Sequence, residues 1–122
     1  MKQNKKLDIQ DRKALTLWAA DCAEHVLPYF EKERPKDDRP RKAIEAARKW
    51  AHGKIKVGEA RRAAFSAHAA ARKANQPAAI AAARSAGHAA ATAHVASHAS
   101  HAAEYAVKAA EAARFKNQSR VL

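Results

Sequence analysis

The sequence contains few of the residues that usually stabilise a small protein. Cys22 is the only cysteine among 122 residues, so no disulfide can form within the chain, as in proteins of a reducing cytosol. Leu, Ile and Val together fill only 14 positions, and no segment shows the alternation typical of a strand. Alanine, the strongest helix former, fills 35 positions. The composition therefore predicts an all-α fold, a compact antiparallel bundle of about five helices with an alanine-rich core.

Long hydrophobic runs are also absent. In residues 78–113, the barely apolar alanines are interrupted by Arg84, Glu104 and Lys108 as well as by histidines, which excludes a membrane span. The N-terminal segment MKQNKKLDIQDRK is charged and lacks the apolar region of a secretory signal. We therefore expect a cytoplasmic protein without a membrane partner, with one helical domain over residues 1–115 and a flexible C-terminal tail over 116–122.

Start and stop signals divide the first half of the chain into two predicted helices. Asp8 is a good N-cap for the first helix, and Pro28 should end or kink it. The buried stripe predicted for this helix consists of Leu15, Trp18, Cys22 and Val26. The second helix is expected to open at residues 37–38, with Pro40 in its first turn, and to stop at Gly53.

The second half of the chain contains three further predicted helices. The third is expected from about Val57 or Glu59 to about Asn75, and the fourth begins near Pro77. The fourth helix ends either at Gly87 or near Thr92, and the sequence leaves this choice open. The last helix then runs to about Phe115.

The charge of the chain is strongly of one sign. The formal net charge is +12, and ten of the twelve acidic residues lie in residues 1–60. Such a balance favours an anionic partner, which can be a nucleic acid, an acidic protein face or a membrane surface. Arg61, Arg62, Arg72 and Lys73 give the third helix a basic flank, so charge-driven nucleic-acid binding is one hypothesis. No helix-turn-helix, zinc-finger or aromatic RNA-binding signature accompanies these residues, and we favour a solvated face.

Four of the seven histidines lie between Ser85 and Tyr105, in a segment rich in alanine. His94, His98 and His101 are spaced i, i+4, i+7, which places them within about 60° of one another on an α-helix. Because imidazole is a common metal ligand, this stripe is a candidate metal site, although one ion reaches only two of the three rings. The other interpretations are a hydrogen-bonded polar seam between helices, which we favour, and a partner-binding surface.

A metal site on this stripe would need further ligands. They could come from His68, or from a cluster on the first helix that contains Asp21, Cys22 and His25. The sequence has neither an HExxH motif nor a pair of cysteines at metal-binding spacing. We therefore predict neither a metal nor any other cofactor.

The cluster on the first helix also resembles part of a nucleophilic site. Asp21 can orient the imidazole of His25 one turn later, and a cysteine beside a histidine is typical of nucleophilic catalysis. However, Cys22 falls on the predicted buried stripe, where an inert thiol is expected. In the segment DDRPR at residues 37–41, the two aspartates are explained by a helix start alone, and Arg39 and Arg41 either pair with them or contact a partner. With no Gly-rich phosphate loop and no recognisable Ser-His-Asp arrangement, the chain is not expected to be an enzyme.

Four blocks of the sequence carry a resemblance to a known family: LWAADCAEHVLPYFE, DDRPRKAIEAARKWAHGKI, ARRAAFSAHAAARKA and AAARSAGHAAATAHVASHASHAAEYA. In this order, over about residues 10–110, they resemble the Imm-5-like family of bacterial immunity proteins. The resemblance implies a helical, non-enzymatic protein that neutralises a cognate toxin in the cytoplasm, by covering its active site or locking it inactive. It also implies a set of polar pocket or partner-binding residues: Asp21, His25, Asp38, Arg39, Arg41, His68, His88, His94 and His98.

The charge limits what such a toxin can look like. A protein of net charge +12 is a poor mimic of nucleic acid, so we expect the toxin to present an acidic face or an apolar contact surface. The alternative hypothesis is a small-ligand or metal-binding helical protein, whose pocket is lined by the same histidine, aspartate and arginine side chains.

Overall fold

The chain folds into α-helices whose ends largely coincide with the helix start and stop signals in its sequence. The computed structural model describes residues 8–121, and side chains over residues 8–115. Within that part the five helices are α1 (Ile9–Glu33), α2 (Arg39–Ala51), α3 (Val57–Lys73), α4 (Pro77–Ala91) and α5 (His98–Val121). Residues 8–121 contain no strand, and the predicted all-α bundle of about five helices is confirmed. The tail expected over 116–122 lies beyond the described side chains and stays a prediction.

The helix starts are fixed by local polar groups and by proline. The Asp8 carboxylate accepts a hydrogen bond from the Asp11 amide at 2.8 Å and caps α1, as predicted. At the start of α2, the cap comes from Asp37, whose carboxylate accepts the Arg39 amide at 3.2 Å, while the following aspartate makes no such bond. After α2, Gly53 adopts a φ of +76°, a left-handed conformation that glycine reaches without steric cost.

Two expectations for α1 need correction, and of the two effects open for Pro28 a kink stays a prediction. Pro28 does not end the helix, which continues to Glu33 because its last turn buries Phe30 completely among alanines of α3 and α4. Trp18 does not belong to the buried stripe and is 48% exposed. A side chain as large as tryptophan does not fit where helices approach closely on alanine, so the helix turns a smaller face inward. The residues that α1 buries are Thr16, Ala19, Ala20, Ala23, Val26, Leu27 and Phe30.

Helix α4 forms the centre of the molecule and packs against each of the other four helices. Most of its residues are buried, and most of those are alanine, which lets neighbouring backbones approach closely. Its contacts with α5 run antiparallel and include a hydrogen bond that the buried Ser85 hydroxyl donates to the Ala102 carbonyl at 2.8 Å. The core is therefore built from many small contacts around one nearly apolar helix.

Of the two ends left open for α4, the structure has the later one. The helix ends at Ala91, and Thr92 follows as a buried residue whose hydroxyl donates to the His88 carbonyl at 2.9 Å. Residues 92–97 then reverse the chain before α5 begins at His98. No helix in the described residues combines the length and the apolar character needed to cross a membrane.

Candidate functional site

Four histidines from three helices meet on one side of α4. His68 comes from α3, His88 from α4, and His98 and His101 from α5. The ring of His88 lies at the centre, with centroids 4.9 Å from His68, 5.0 Å from His98 and 5.2 Å from His101. Tyr105 stacks on the same ring at 5.4 Å. We refer to the four histidines as the histidine cluster.

The cluster differs from the single-helix stripe that the spacing predicted. His94 lies in the turn between α4 and α5, so only His98 and His101 share a helix. The periodicity argument fails here because α4 and α5 bury their alanine faces against one another, which requires a chain reversal at this point. The reversal places His88 opposite His98, a neighbour that helical spacing along the sequence does not show.

His88 and His98 form a direct hydrogen bond between helices, with their Nδ1 atoms 2.8 Å apart. One Nδ1 must carry a hydrogen and the other must accept it, so two neutral rings adopt opposite tautomers. Burial, together with the nearby charges of His68 and His98, lowers the pKa of His88 to about 4. Burial and the charges of the neighbouring histidines also lower the pKa of His98. Near pH 7 the pair is therefore neutral, and it forms a polar seam of the kind that we favoured.

The tautomer of His68 follows from its partner. Arg84 places Nη1 2.8 Å from His68 Nδ1, and a guanidinium only donates, so the neutral imidazole carries its hydrogen on Nε2. Burial and the charge of Arg84 lower the pKa of His68 to about 4. The ring lies directly against Gly87, where a Cβ atom would meet His68 Nε2 at 2.6 Å. Gly87 is therefore required for close packing of this imidazole on α4.

A pocket of about 240 Å³ opens beside the cluster, between α3, the end of α4 and the turn that leads into α5. We call it the α3–α5 pocket. Its lining consists of Arg61, Ala64, Phe65, His68, Ala91, His94 and His98. Phe65 stands at the rim with 63% of its surface exposed, and the Arg61 guanidinium lies 5.9 Å from the centre of its ring.

Every polar group that lines the α3–α5 pocket is either cationic or neutral. None of its seven lining residues is acidic, and no carboxylate in the described part of the chain pairs with Arg61. Over the same described residues, no three histidine, cysteine, aspartate or glutamate side chains are arranged to hold a metal ion. The Nδ1 atoms of His88 and His98 are engaged with one another. The arrangement is suited to an anionic group that accepts hydrogen bonds.

The structure does not bring the α1 candidates to this pocket. The carboxylate of Asp21 pairs with Arg48 of α2 at 2.8 Å and makes no contact with His25, which is exposed. Burial and the charge of Asp21 raise the pKa of the Cys22 thiol, so the reactive thiolate is disfavoured. Of these residues only Asp21 joins α1 to α2, and the Cys22 thiol is not activated.

The candidates from the DDRPR segment also lie elsewhere and hold the α1–α2 corner together. The Arg39 guanidinium donates two hydrogen bonds to Asp37, at 2.9 and 2.7 Å, and these bonds lower the pKa of that carboxyl to about 2. Arg41 forms a similar two-pronged pair with Glu31 of α1, at 2.8 and 2.7 Å. Asp38 pairs only with the exposed Lys42, at 3.4 Å. None of these groups lines the α3–α5 pocket.

Sequence reasoning joined His68, His88, His94 and His98 in one set, and all four do lie in or beside the pocket. Phe65 and Arg84 were not among the predicted site residues, and Arg61 was assigned to a basic flank, either solvated or binding nucleic acid. One signal could have identified two of them: positions 61, 65 and 68 fall on one face of a helix at spacings of four and three. Arg84 has no such signal, because its contact with α3 depends on how α3 and α4 pack.

The comparisons with known proteins agree with the order of blocks in the sequence. The sequence model of one family, described as "Imm-5 like putative immunity protein", matches residues 5–121, nearly the whole chain. No curated protein and no solved structure matches the chain significantly. The match spans all five helices, including every residue that lines the α3–α5 pocket. The chain therefore belongs to the Imm-5-like family.

Proposed function

We propose that this protein binds a cognate bacterial toxin in the cytoplasm and neutralises it without catalysing a reaction. The observation that carries the proposal is the family match over residues 5–121. An immunity protein acts by forming a complex, so its function depends on surface chemistry rather than on a reactive centre. The raised pKa of Cys22 supports this, since the one thiol of the chain is not activated.

The charge supports a toxin with an acidic contact face. The chain carries a net charge of +12, and only two of its twelve acidic residues lie beyond residue 60, where all seven residues that line the α3–α5 pocket are found. A positive face steers a negative partner and accelerates association, while it repels basic proteins. A toxin whose active site is itself lined by carboxylates fits this description.

Deletion of the gene in cells that express the toxin encoded by a neighbouring reading frame tests the proposal. We expect the deletion to sensitise the cells to that toxin, and a plasmid copy of this chain to restore survival. A second plasmid that carries a translational stop at codon 12 serves as the control and should not protect. Normal survival of the deletion strain, with the toxin expressed and active, would contradict the proposed function.

A further inference from the structure

The α3–α5 pocket has the properties of a docking point rather than of a packing defect. The pocket, about 240 Å³ in volume, is open to solvent and its surface is mostly apolar, and three of its lining residues, Arg61, His94 and His98, add polar nitrogens to it. His94 is exposed in the turn and has no partner among the described side chains, and Arg61 has no carboxylate partner there. The pocket is therefore supplied with donors that the fold itself does not use.

The rim adds an apolar component. Phe65 exposes 63% of its surface, and Val95 in the turn exposes 41%. Buried aromatic and arginine side chains carry much of the binding energy in protein interfaces. Arg61 over the ring of Phe65 supplies both at one place on α3.

We infer that the α3–α5 pocket receives an aspartate or glutamate side chain of the partner protein, which Arg61 and His98 bind while Phe65 covers its stem. The inference rests on the proposed function, because it names the part of the toxin that this site recognises. The occupant is chosen by charge, since the pocket offers cationic and neutral donors and no acidic lining residue. A volume of about 240 Å³ accommodates one side chain and not a folded segment.

Such an occupant also selects one arrangement of the His88–His98 pair. A carboxylate needs a hydrogen on the remaining nitrogen of His98, Nε2, so His98 Nδ1 becomes the acceptor. The shared hydrogen then lies on His88 Nδ1, and the bond of 2.8 Å runs from His88 to His98. Binding at the pocket thus has a spectroscopic signature in a histidine that the ligand itself does not touch.

A small carboxylate probe tests the pocket independently of any toxin. N-acetyl-glutamate amide is titrated to about 100 mM into the full chain at pH 7 and constant ionic strength, and the imidazole ¹⁵N resonances are followed by NMR. We expect saturable shifts at His94 and His98, and in the bound state the hydrogen should lie on His88 Nδ1. Arg61→Gln should abolish these shifts, whereas Arg62→Gln, which removes an exposed arginine outside the pocket, should leave them intact.

Three results with the probe would overturn the inference. These are the absence of saturable shifts in the unaltered chain, equal shifts with the neutral N-acetyl-glutamine amide, and an equal loss in the Arg62→Gln variant. Inorganic phosphate is titrated in parallel. If phosphate saturates the site and the glutamate derivative does not, the pocket takes a free anion instead of a protein side chain, which also overturns the inference.

The toxin encoded by the neighbouring reading frame then separates this inference from the proposed function. If the unaltered chain binds that toxin, Arg61→Gln should weaken the complex by about tenfold or more and Arg62→Gln by less than about twofold. Equal affinities of the unaltered chain and Arg61→Gln would overturn the pocket assignment alone. If the unaltered chain does not bind the toxin, the proposed function fails, and the probe titration still decides whether the pocket binds a carboxylate.

Discussion

The contact between His68 and Gly87 gives a stability prediction in which two opposing effects can be compared. Glycine inside a helix costs about 1 kcal/mol relative to alanine, so Gly87→Ala should stabilise α4 if nothing else changes. The new methyl group, however, would lie 2.6 Å from His68 Nε2 and 2.7 Å from Cε1, well inside van der Waals contact. The imidazole must therefore move, and it is held on its other side by Arg84 at 2.8 Å.

The steric effect should win. Forcing one extra methyl group into a packed site costs about 1–3 kcal/mol, and loss of a hydrogen bond to a charged group costs roughly 1.5–3 kcal/mol. Set against the gain of about 1 kcal/mol in helix propensity, these costs should lower the free energy of unfolding of Gly87→Ala by about 1.5 kcal/mol or more. Gly58→Ala provides the matched control, because a Cβ at Gly58 meets only Arg62 Nη1 at 3.8 Å. This variant should be neutral or stabilise the protein by up to about 1 kcal/mol.

Urea unfolding followed by circular dichroism measures both variants, and a double-mutant cycle assigns the cause. In the His68→Ala background, where the ring is absent, Gly87→Ala should become neutral or stabilising. The expected coupling between the two positions is about 2 kcal/mol. If Gly87→Ala stabilises the original chain as much as Gly58→Ala does, the packing of His68 on α4 is wrong.

Three further predictions concern burial, charge and pH. Trp50 is 7% exposed and Trp18 is 48% exposed. In urea unfolding, Trp50→Ala should therefore destabilise the protein by about 3–5 kcal/mol and Trp18→Ala by about 1 kcal/mol or less. Similar losses of stability in the two variants would refute the assigned packing. The Glu33 carboxylate accepts backbone amides of the α3–α4 connection at 2.8 Å, so Glu33→Ala should cost about 1–2 kcal/mol and Glu33→Gln less, and equal costs would contradict this role. The folded pKa values of His68 and His88 lie near 4, below the ordinary 6.5, so the unfolded chain takes up protons first as the pH falls. The free energy of unfolding should reach its full value above about pH 7 and, after allowance for partial exposure of the two rings, fall by about 2 kcal/mol between pH 7 and pH 5. A His88→Asn variant should show a smaller fall. A free energy of unfolding that does not change over this range would refute the lowered pKa values.

Much of the fold could be predicted because the residues at each end of a helix largely determine where that helix begins or stops. Asp8, Pro40, Gly53 and Pro77 each act on the backbone within one turn of their own position, and each lies where the sequence predicted it. Pro28 is the exception, because its local effect is outweighed by the burial of the turn that follows it. Alanine at 35 positions is compatible with almost any helix face, so it fixes helical content and says little about which face turns inward.

The interior of the bundle was harder to predict for the same reason. In a chain with large apolar residues, the largest side chains mark the buried face of a helix, and on that basis Trp18 was placed inside. Here the helices pack through alanine, and a close approach of backbones leaves no room for the indole of Trp18. Trp50 is buried because it lies near the end of α2, where the connection to α3 covers it.

The sequence identified several residues of the candidate site, but it did not predict how these residues are arranged. The prediction grouped His68, His88, His94 and His98, which do come together, but it placed the last two on one helix with His101. Pairs across two helices, such as His88 with His98, depend on the chain reversal after α4, which no local rule places to within one residue. The resemblance groups the remaining candidates, on α1 and at the α1–α2 corner, with the histidines, and a metal site would also have drawn on Asp21 and His25. Each of these candidates has a structural partner of its own or is exposed.

Titration of the toxin's activity with this protein tests the central claim most directly. The toxin encoded by the neighbouring reading frame is held at a fixed concentration well above the dissociation constant, and its activity is measured as the chain is added. A neutralising binding partner predicts a linear loss of activity that is complete at a fixed molar ratio and does not deepen with longer incubation. Full toxin activity at a large excess of the chain would contradict the account, and so would inactivation by a small fraction of an equivalent, since that would require catalysis.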